Sequence, residues 1–89
     1  MIAKKITFSG RVQGVGFRYT AHNIASRYGL SGYVRNLHNG SVELLIQGSS
    51  ADIDSCLDEL KDEFKGYIAE TKIEEISADT NLTSFKITF

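Results

Sequence analysis

Apolar and polar side chains alternate along residues 2 to 9, which is typical of a strand with one buried face. From residue 17 to residue 28 the apolar positions recur every three or four residues, so we expect a helix that ends at Gly29. The stretch between them, residues 10 to 16, contains three glycines and suits a tight loop. The chain therefore starts with a strand, a glycine-rich loop and a helix.

Two further alternating runs, residues 31–37 and 41–47, predict a pair of strands. They are separated by His38, Asn39 and Gly40. Asn-Gly between alternating runs is a strong hairpin signal, because both residues tolerate a positive φ. We therefore expect these two strands to be antiparallel neighbours.

The last third of the chain predicts a helix and two strands. Ser49 or Ser50 can cap the helix, and Gly66 closes it. Residues 68–76 form a strand with imperfect alternation, which indicates a bulge. Residues 85–89 alternate well and predict a short final strand.

This order of elements predicts an α+β fold of the ferredoxin-like kind, βαββαβ with an extra C-terminal strand, in which two helices cover one face of a mostly antiparallel sheet. The place of the last strand in the sheet is left open by the sequence. In this fold the first and second strands are parallel, with the third between them. The loop after Ser9 and the end of the second strand near Asn36 should therefore lie at the same edge of the sheet.

Composition limits the partners. The 89 residues are expected to form a single domain, 1–89, and their formal net charge of −1 argues against bulk attraction to nucleic acid or to an anionic membrane. No stretch approaches the roughly 20 apolar residues that span a bilayer. The single cysteine, Cys56, and the absence of a signal-peptide core favour a cytoplasmic location. Nothing in the sequence indicates more than a monomer.

The candidate chemistry lies in the loop from Gly10 to Arg18. Closely spaced glycines let successive backbone N–H groups converge on an anion, and the start of a helix adds its free N–H groups and positive dipole end. Arg18 falls in the first helical turn, where a cation is unfavourable unless an anion binds beside it. The alternative interpretation is a plain glycine-rich turn with two solvated arginines.

Asn36 is the second candidate, because asparagine is depleted in strands and its neighbours are strand residues. It can simply end the strand before the hairpin. It can also hold a water molecule beside the loop, since its amide offers both a donor and an acceptor.

Three segments together resemble the signatures of the acylphosphatase family: Gly10 to Arg18, Gly32 to Asn36, and Gly40 to Glu43. The similarity extends over essentially the whole chain, with Tyr33 where tryptophan is more usual. It implies a ferredoxin-like fold and hydrolysis of acyl phosphates to a carboxylate and inorganic phosphate. It also implies that the substrate is a small molecule and that no metal or organic cofactor is needed.

The resemblance also assigns roles to individual residues. Arg18 matches the substrate-binding arginine, and Asn36 matches the asparagine that orients the attacking water. The phosphate cradle would be formed mainly by the backbone of consecutive residues, namely Gln13, Gly14, Val15, Gly16, Phe17 and Arg18. No histidine or carboxylate is placed as a general base, and the physiological acyl phosphate is not specified.

Two rival functions share this fold. One is a catalytically silent, phosphate-binding regulatory module. The other is an RNA-binding domain, which would stack bases on aromatic side chains of its central strands. The third strand has no aromatic residue and the chain is slightly acidic, so RNA binding is the weaker alternative. Neither His22 nor His38 has a partner at metal-ligand spacing, so no metal site is expected.

Overall fold

The computed structural model describes residues 1–89 and contains five strands and two helices. In chain order they are β1 (Ile2–Gly10), α1 (Phe17–Arg27), β2 (Ser31–Asn36), β3 (Val42–Gly48), α2 (Ser50–Glu63), β4 (Ile68–Ile76) and β5 (Phe85–Thr88). Every predicted element is present, and its ends differ from the prediction by at most three residues. The predicted ferredoxin-like α+β class is confirmed.

The strand order in the sheet is β4-β1-β3-β2-β5. As expected, β3 lies between β1 and β2 and is antiparallel to both. β5 is the element whose place the sequence left open. It pairs with β2 in the parallel direction and forms one edge of the sheet. Phe85 and Ile87 consequently face the same side as Gly32 and Val34, their partners in β2.

The predicted bulge in β4 is also present. Ser9 of β1 faces Glu70, whereas the next residue, Gly10, faces Ile68, so Ala69 is the extra residue on β4. Gly10 has a φ of 119°, and a Cβ there would lie 2.4 Å from the Tyr67 carbonyl oxygen. The bulge and this glycine end β1 and turn the chain into the glycine-rich loop.

Both helices pack on one face of the sheet. Each buries a stripe at helical spacing: Phe17, Ala21, Ile24 and Ala25 in α1, and Ile53, Cys56, Leu57 and Leu60 in α2. Burial of each large apolar side chain contributes about 1.5–3 kcal/mol before the entropic cost of folding is counted. The Ser49 hydroxyl accepts a hydrogen bond from the Asp52 backbone N–H, which settles the alternative between Ser49 and Ser50 as the cap. Neither helix has the length and apolar character required to cross a bilayer.

The opposite face of the sheet is covered at one corner. Ala3 belongs to the polar side of β1 by alternation, yet it is buried. Its partner in β3 is Gln47. The Oε1 of Gln47 accepts a hydrogen bond from the Asp79 N–H at 2.7 Å, and its Nε2 donates one to the Asp79 carbonyl at 2.8 Å. This pair of hydrogen bonds holds the β4–β5 connection against the sheet at Gln47, the cross-strand partner of Ala3.

A second polar group on this face joins β2 to β3. The carboxylate of Glu43, only 7% of whose surface is exposed, accepts hydrogen bonds from the Tyr33 hydroxyl and from Arg35 Nε, both at 2.8 Å. Burial alone would raise the pKa of Glu43, but the hydrogen bonds from Tyr33 and Arg35 outweigh it and lower that pKa. The cluster fixes the β2–β3 register on the face opposite the helices.

Candidate active site

The glycine-rich loop connects the end of β1 to the start of α1. Val12 is completely buried and anchors the loop to the core. Gly14 and Gly16 have φ values of 76° and 78°, and Gly16 occupies the N-cap position of α1. These left-handed conformations favour glycine, since other residues adopt them at a cost of about 1–2 kcal/mol. The sequence can therefore form this curled backbone without steric strain.

The backbone donors of the loop and of the first helical turn are not used within the protein. None of the N–H groups of residues 12–19 donates a hydrogen bond to another backbone oxygen, and the first helical bond runs from the Thr20 N–H to the Gly16 carbonyl. No side chain caps the start of α1, and its first turn has no acidic residue. Free N–H groups and an uncompensated positive dipole end form an arrangement that binds anions.

Arg18 is held beside these donors by the end of β5. Its Nη1 donates to the carbonyl oxygen of Thr88 at 3.4 Å, which is a weak hydrogen bond. Its guanidinium also lies over the ring of Phe89, 4.9 Å from the ring centroid. Most of its five N–H donors therefore stay available, in the fork geometry that suits two oxygens of one phosphate.

Asn36 ends β2 on the side of the sheet that faces the helices, because its partner in β3 is the core residue Val42. Its side chain is half-buried and makes no hydrogen bond within the chain. Both the donor and the acceptor of the amide are thus available to a water molecule.

Arg18 and Asn36 both line one cavity of about 300 Å³, at the end of the sheet where β1, β2 and β5 finish. The lining residues are Val12, Gly14, Gly16, Phe17, Arg18, Tyr19, Asn36, Ile87 and Phe89. The expectation that the loop and the end of β2 lie at the same edge is therefore confirmed. A cavity of this size suits a small ligand, such as a phosphate with a short organic group.

Two residues of the expected cradle lie outside this lining. The side chain of Gln13 points to the β2–β3 hairpin, where its Nε2 donates to the carbonyls of Leu37 and Ser41. Val15 is 37% exposed at the tip of the loop. Both can contribute their backbone N–H groups, but the loop's share of the cavity wall consists of Val12, Gly14 and Gly16.

Tyr19, Ile87 and Phe89 line the cavity but were not among the residues predicted from the sequence. The alternation of residues 85–89 places Ile87 and Phe89 on one face, which was a usable signal. It could not be connected to the site because the sequence did not place β5 beside β2. Parallel pairing with β2 is what brings Ile87 and Phe89 to the cavity.

Other reactive side chains lie elsewhere. Cys56 is buried between the helices and the sheet, and burial raises the pKa of its thiol to about 11. His22 packs near Phe85, with 5.9 Å between ring centroids, and His38 is exposed in the hairpin. No side chain of the cavity wall is a carboxylate, an imidazole or a thiol, and the charged side chain in the wall is that of Arg18.

The fold and this cavity define an α/β sandwich with a loop of free backbone N–H donors at the start of its first helix. A sequence model of the acylphosphatase family matches residues 4–87. The acylphosphatase of Oceanobacillus iheyensis is 34% identical over 90 residues, 96% of each chain, and that of Chlorobaculum tepidum is 39% identical over 83 residues, 92% of this chain and 90% of the relative. The crystal structure of acylphosphatase from Bacillus subtilis has a TM-score of 0.92 and 31% identity, over all of both chains. The chain belongs to the acylphosphatase family.

Proposed function

We propose that this acylphosphatase binds the phosphate of an acyl phosphate with the backbone N–H groups of residues 13–18 and the guanidinium of Arg18, while Asn36 holds the attacking water. The observation that carries the proposal is the cavity in which free backbone donors, Arg18 and the unpaired amide of Asn36 meet. The reaction is that of the family, hydrolysis of the carboxyl–phosphate anhydride. Its products are a carboxylate and inorganic phosphate.

An acyl phosphate is already activated, because its leaving group is a stabilised carboxylate. Catalysis then consists mainly of positioning and of stabilising charge on the phosphoryl oxygens. In the proposed step the oxygen of the water held by Asn36 forms a bond to phosphorus. The bond from phosphorus to the acyl oxygen breaks, and its electron pair leaves with the carboxylate. The donors of the loop and Arg18 bind the non-bridging oxygens throughout.

The water must also lose a proton. Since no side chain of the cavity wall is a carboxylate or an imidazole, we propose that a non-bridging oxygen of the substrate phosphate accepts it. For the same reason we propose that the reaction needs neither a metal nor an organic cofactor, with the role of a cation taken by Arg18 and the N-terminus of α1.

The cradle recognises phosphate more than the acyl group, so we propose that several small acyl phosphates serve as substrates with weak selectivity. The proposal includes a monomer in the cytoplasm with no nucleic-acid or membrane partner. It is supported by the net charge of −1 and by the single, buried cysteine.

The test is hydrolysis of benzoyl phosphate in excess EDTA by the unaltered protein and by Arg18→Ala and Asn36→Ala. Each variant has a matched control. Arg11 belongs to the same loop but lies over Tyr67, outside the cavity, and Asn23 is exposed on α1. Arg11→Ala and Asn23→Ala should retain turnover within about twofold, as surface substitutions do.

We expect Arg18→Ala to lose both turnover and phosphate binding, with kcat falling by about 10²–10³-fold as for other oxyanion donors. Asn36→Ala should lose turnover to a similar degree while inhibition by inorganic phosphate changes little. Equal loss of both properties in Asn36→Ala would contradict the separate roles. Phosphate binding without any turnover by the unaltered protein would instead support the silent regulatory module.

A further inference from the structure

The side chain of Gln13 connects the phosphate loop to the β2–β3 hairpin. Its Nε2 lies 2.8 Å from the carbonyl oxygen of Leu37 and 2.9 Å from that of Ser41. No other hydrogen bond joins residues 11–16 to residues 36–41. Because both partners are carbonyl oxygens, the nitrogen of the amide must face them, and both of its hydrogens are used.

The two carbonyls belong to opposite limbs of the hairpin at its base. There the Leu37 N–H donates to the Ser41 carbonyl at 2.8 Å and closes the turn. Leu37 directly follows Asn36, the last residue of β2. One amide group thus fixes the hairpin base one residue away from the asparagine of the cavity.

We propose that Gln13 is a positioning residue that sets the distance between the phosphate cradle and the water held by Asn36. This inference rests on the proposed roles of the loop and of Asn36. The loop and β2 are separate segments, and each keeps its own anchor: Val12 in the core for the loop, and the β3 ladder for Asn36. Gln13 supplies the direct hydrogen-bonded connection between them, and its side chain lies outside the cavity wall.

Removal of this connection should affect the chemical step more than binding. In Gln13→Ala the cradle can still form, since its glycines and Val12 are unchanged, and it should bind phosphate with less than a threefold change in inhibition constant. The alignment of water and phosphate would loosen, and misplacement of about 1 Å can cost on the order of a hundredfold in rate. We expect kcat for benzoyl phosphate to fall by about 10–100-fold, with KM changed by less than about threefold.

The near-isosteric variant Gln13→Glu gives a sharper test, because its carboxylate would face two carbonyl oxygens. The ionised form is repelled, whereas the protonated form can again donate one hydrogen bond. The kcat of Gln13→Glu, divided by that of the unaltered protein at each pH, should rise as the pH is lowered from 7 to 4.5. A purely structural role predicts no such rise at a temperature where both proteins are folded.

Gln47 offers a matched control. Like the half-buried Gln13, it makes two side-chain–backbone hydrogen bonds, but it is buried and lies five residues along β3 from Val42, the partner of Asn36, roughly 17 Å from the site. Gln47→Ala should lower the midpoint of urea unfolding while leaving kcat within about twofold. If Gln13→Ala behaves in the same way, losing stability but not kcat, the positioning role is wrong.

A double-mutant cycle separates this proposal from the proposed function. If Gln13 acts through Asn36, Gln13→Ala should cost less than about threefold in the Asn36→Ala background. Full additivity of the two losses would overturn the proposal, although Arg18 and Asn36 could still have their assigned roles. If Asn36→Ala alone leaves turnover unchanged, it is the function assigned to Asn36 that fails, and the positioning role fails with it.

Discussion

The guanidinium of Arg18 lies over the ring of Phe89, with 4.9 Å between its Cζ and the ring centroid. Arg18 lies in α1, and Phe89 directly follows β5. The contact therefore depends on the parallel pairing of β5 with β2. An arginine on an aromatic face has fewer accessible rotamers than a solvated one. The contact therefore places an aromatic ring, itself 97% exposed, beside the group that is proposed to bind phosphate.

Substitution of Phe89 by alanine should weaken phosphate binding. An exposed cation–π contact contributes about 0.5–1 kcal/mol, which corresponds to a roughly two- to fivefold increase in the inhibition constant of inorganic phosphate. Competitive inhibition of benzoyl phosphate hydrolysis measures it. The control Phe89→Tyr retains the aromatic ring and should bind phosphate as the unaltered protein does. Tighter phosphate binding by Phe89→Ala would instead show that the stacking of Arg18 on Phe89 competes with the substrate.

Substitution of Gly10 and of Gly16 by alanine should have different effects on the unfolding free energy and on phosphate affinity. At Gly16 an added Cβ meets no atom within 4 Å, so Gly16→Ala costs about 1–2 kcal/mol of unfolding free energy from its positive φ alone and should distort the cradle. At Gly10 the Cβ would lie within 2.7 Å of two backbone atoms, so Gly10→Ala should destabilise by more than about 2 kcal/mol. Urea unfolding and phosphate inhibition, measured on both variants, check this. Phosphate affinity unchanged in folded Gly16→Ala would argue against the cradle.

The helices and strands could be predicted from the sequence, because alternation, helical spacing and the Asn39-Gly40 turn are local signals. Their order was then sufficient to predict that the glycine-rich loop and Asn36 lie at the same end of the sheet. It was insufficient for β5, since a strand of four residues has no local feature that selects its neighbour. The contribution of Ile87 and Phe89 to the cavity depended on that pairing and was therefore missed.

The directions of the side chains in the loop also could not be predicted from the sequence. Gln13 was assigned to the cradle through its backbone, and nothing local indicated that its amide would bond carbonyls 24 and 28 residues away. Likewise, nothing local indicated that the side chain of Gln47 would bond the backbone of Asp79, 32 residues away. Such contacts are determined by the packing of distant segments rather than by the spacing of apolar residues within one segment.

Cys56 should be unreactive in the folded protein. Its pKa near 11, against an ordinary value of 9.0, leaves about a hundredfold less thiolate at pH 8, and burial blocks access in addition. We expect reaction with a disulfide reagent at pH 8 to be at least about a hundredfold slower in buffer than in urea sufficient to unfold the chain. Cys56→Ala should keep its turnover, because the thiol is not part of the cavity wall. A fast reaction in the native protein would contradict the burial of the thiol.

Glu43 should make the stability of the protein depend on pH in the acid range. Its pKa is lowered in the folded state, so its stabilisation is fully present above the ordinary value of 4.5 and is lost as the pH falls through the lower folded value. Glu43→Gln should therefore lower the unfolding free energy by about 1 kcal/mol at pH 7, and this difference should become smaller as the pH falls below 4.5. Urea unfolding of both proteins between pH 3 and 7 measures it. Glu74, whose exposed carboxylate lies 3.9 Å from Lys5, provides the control, since Glu74→Gln should change stability by less than about 0.5 kcal/mol. A difference for Glu43→Gln that stays constant across this range would show that shape, rather than the charge held by Tyr33 and Arg35, explains its contribution.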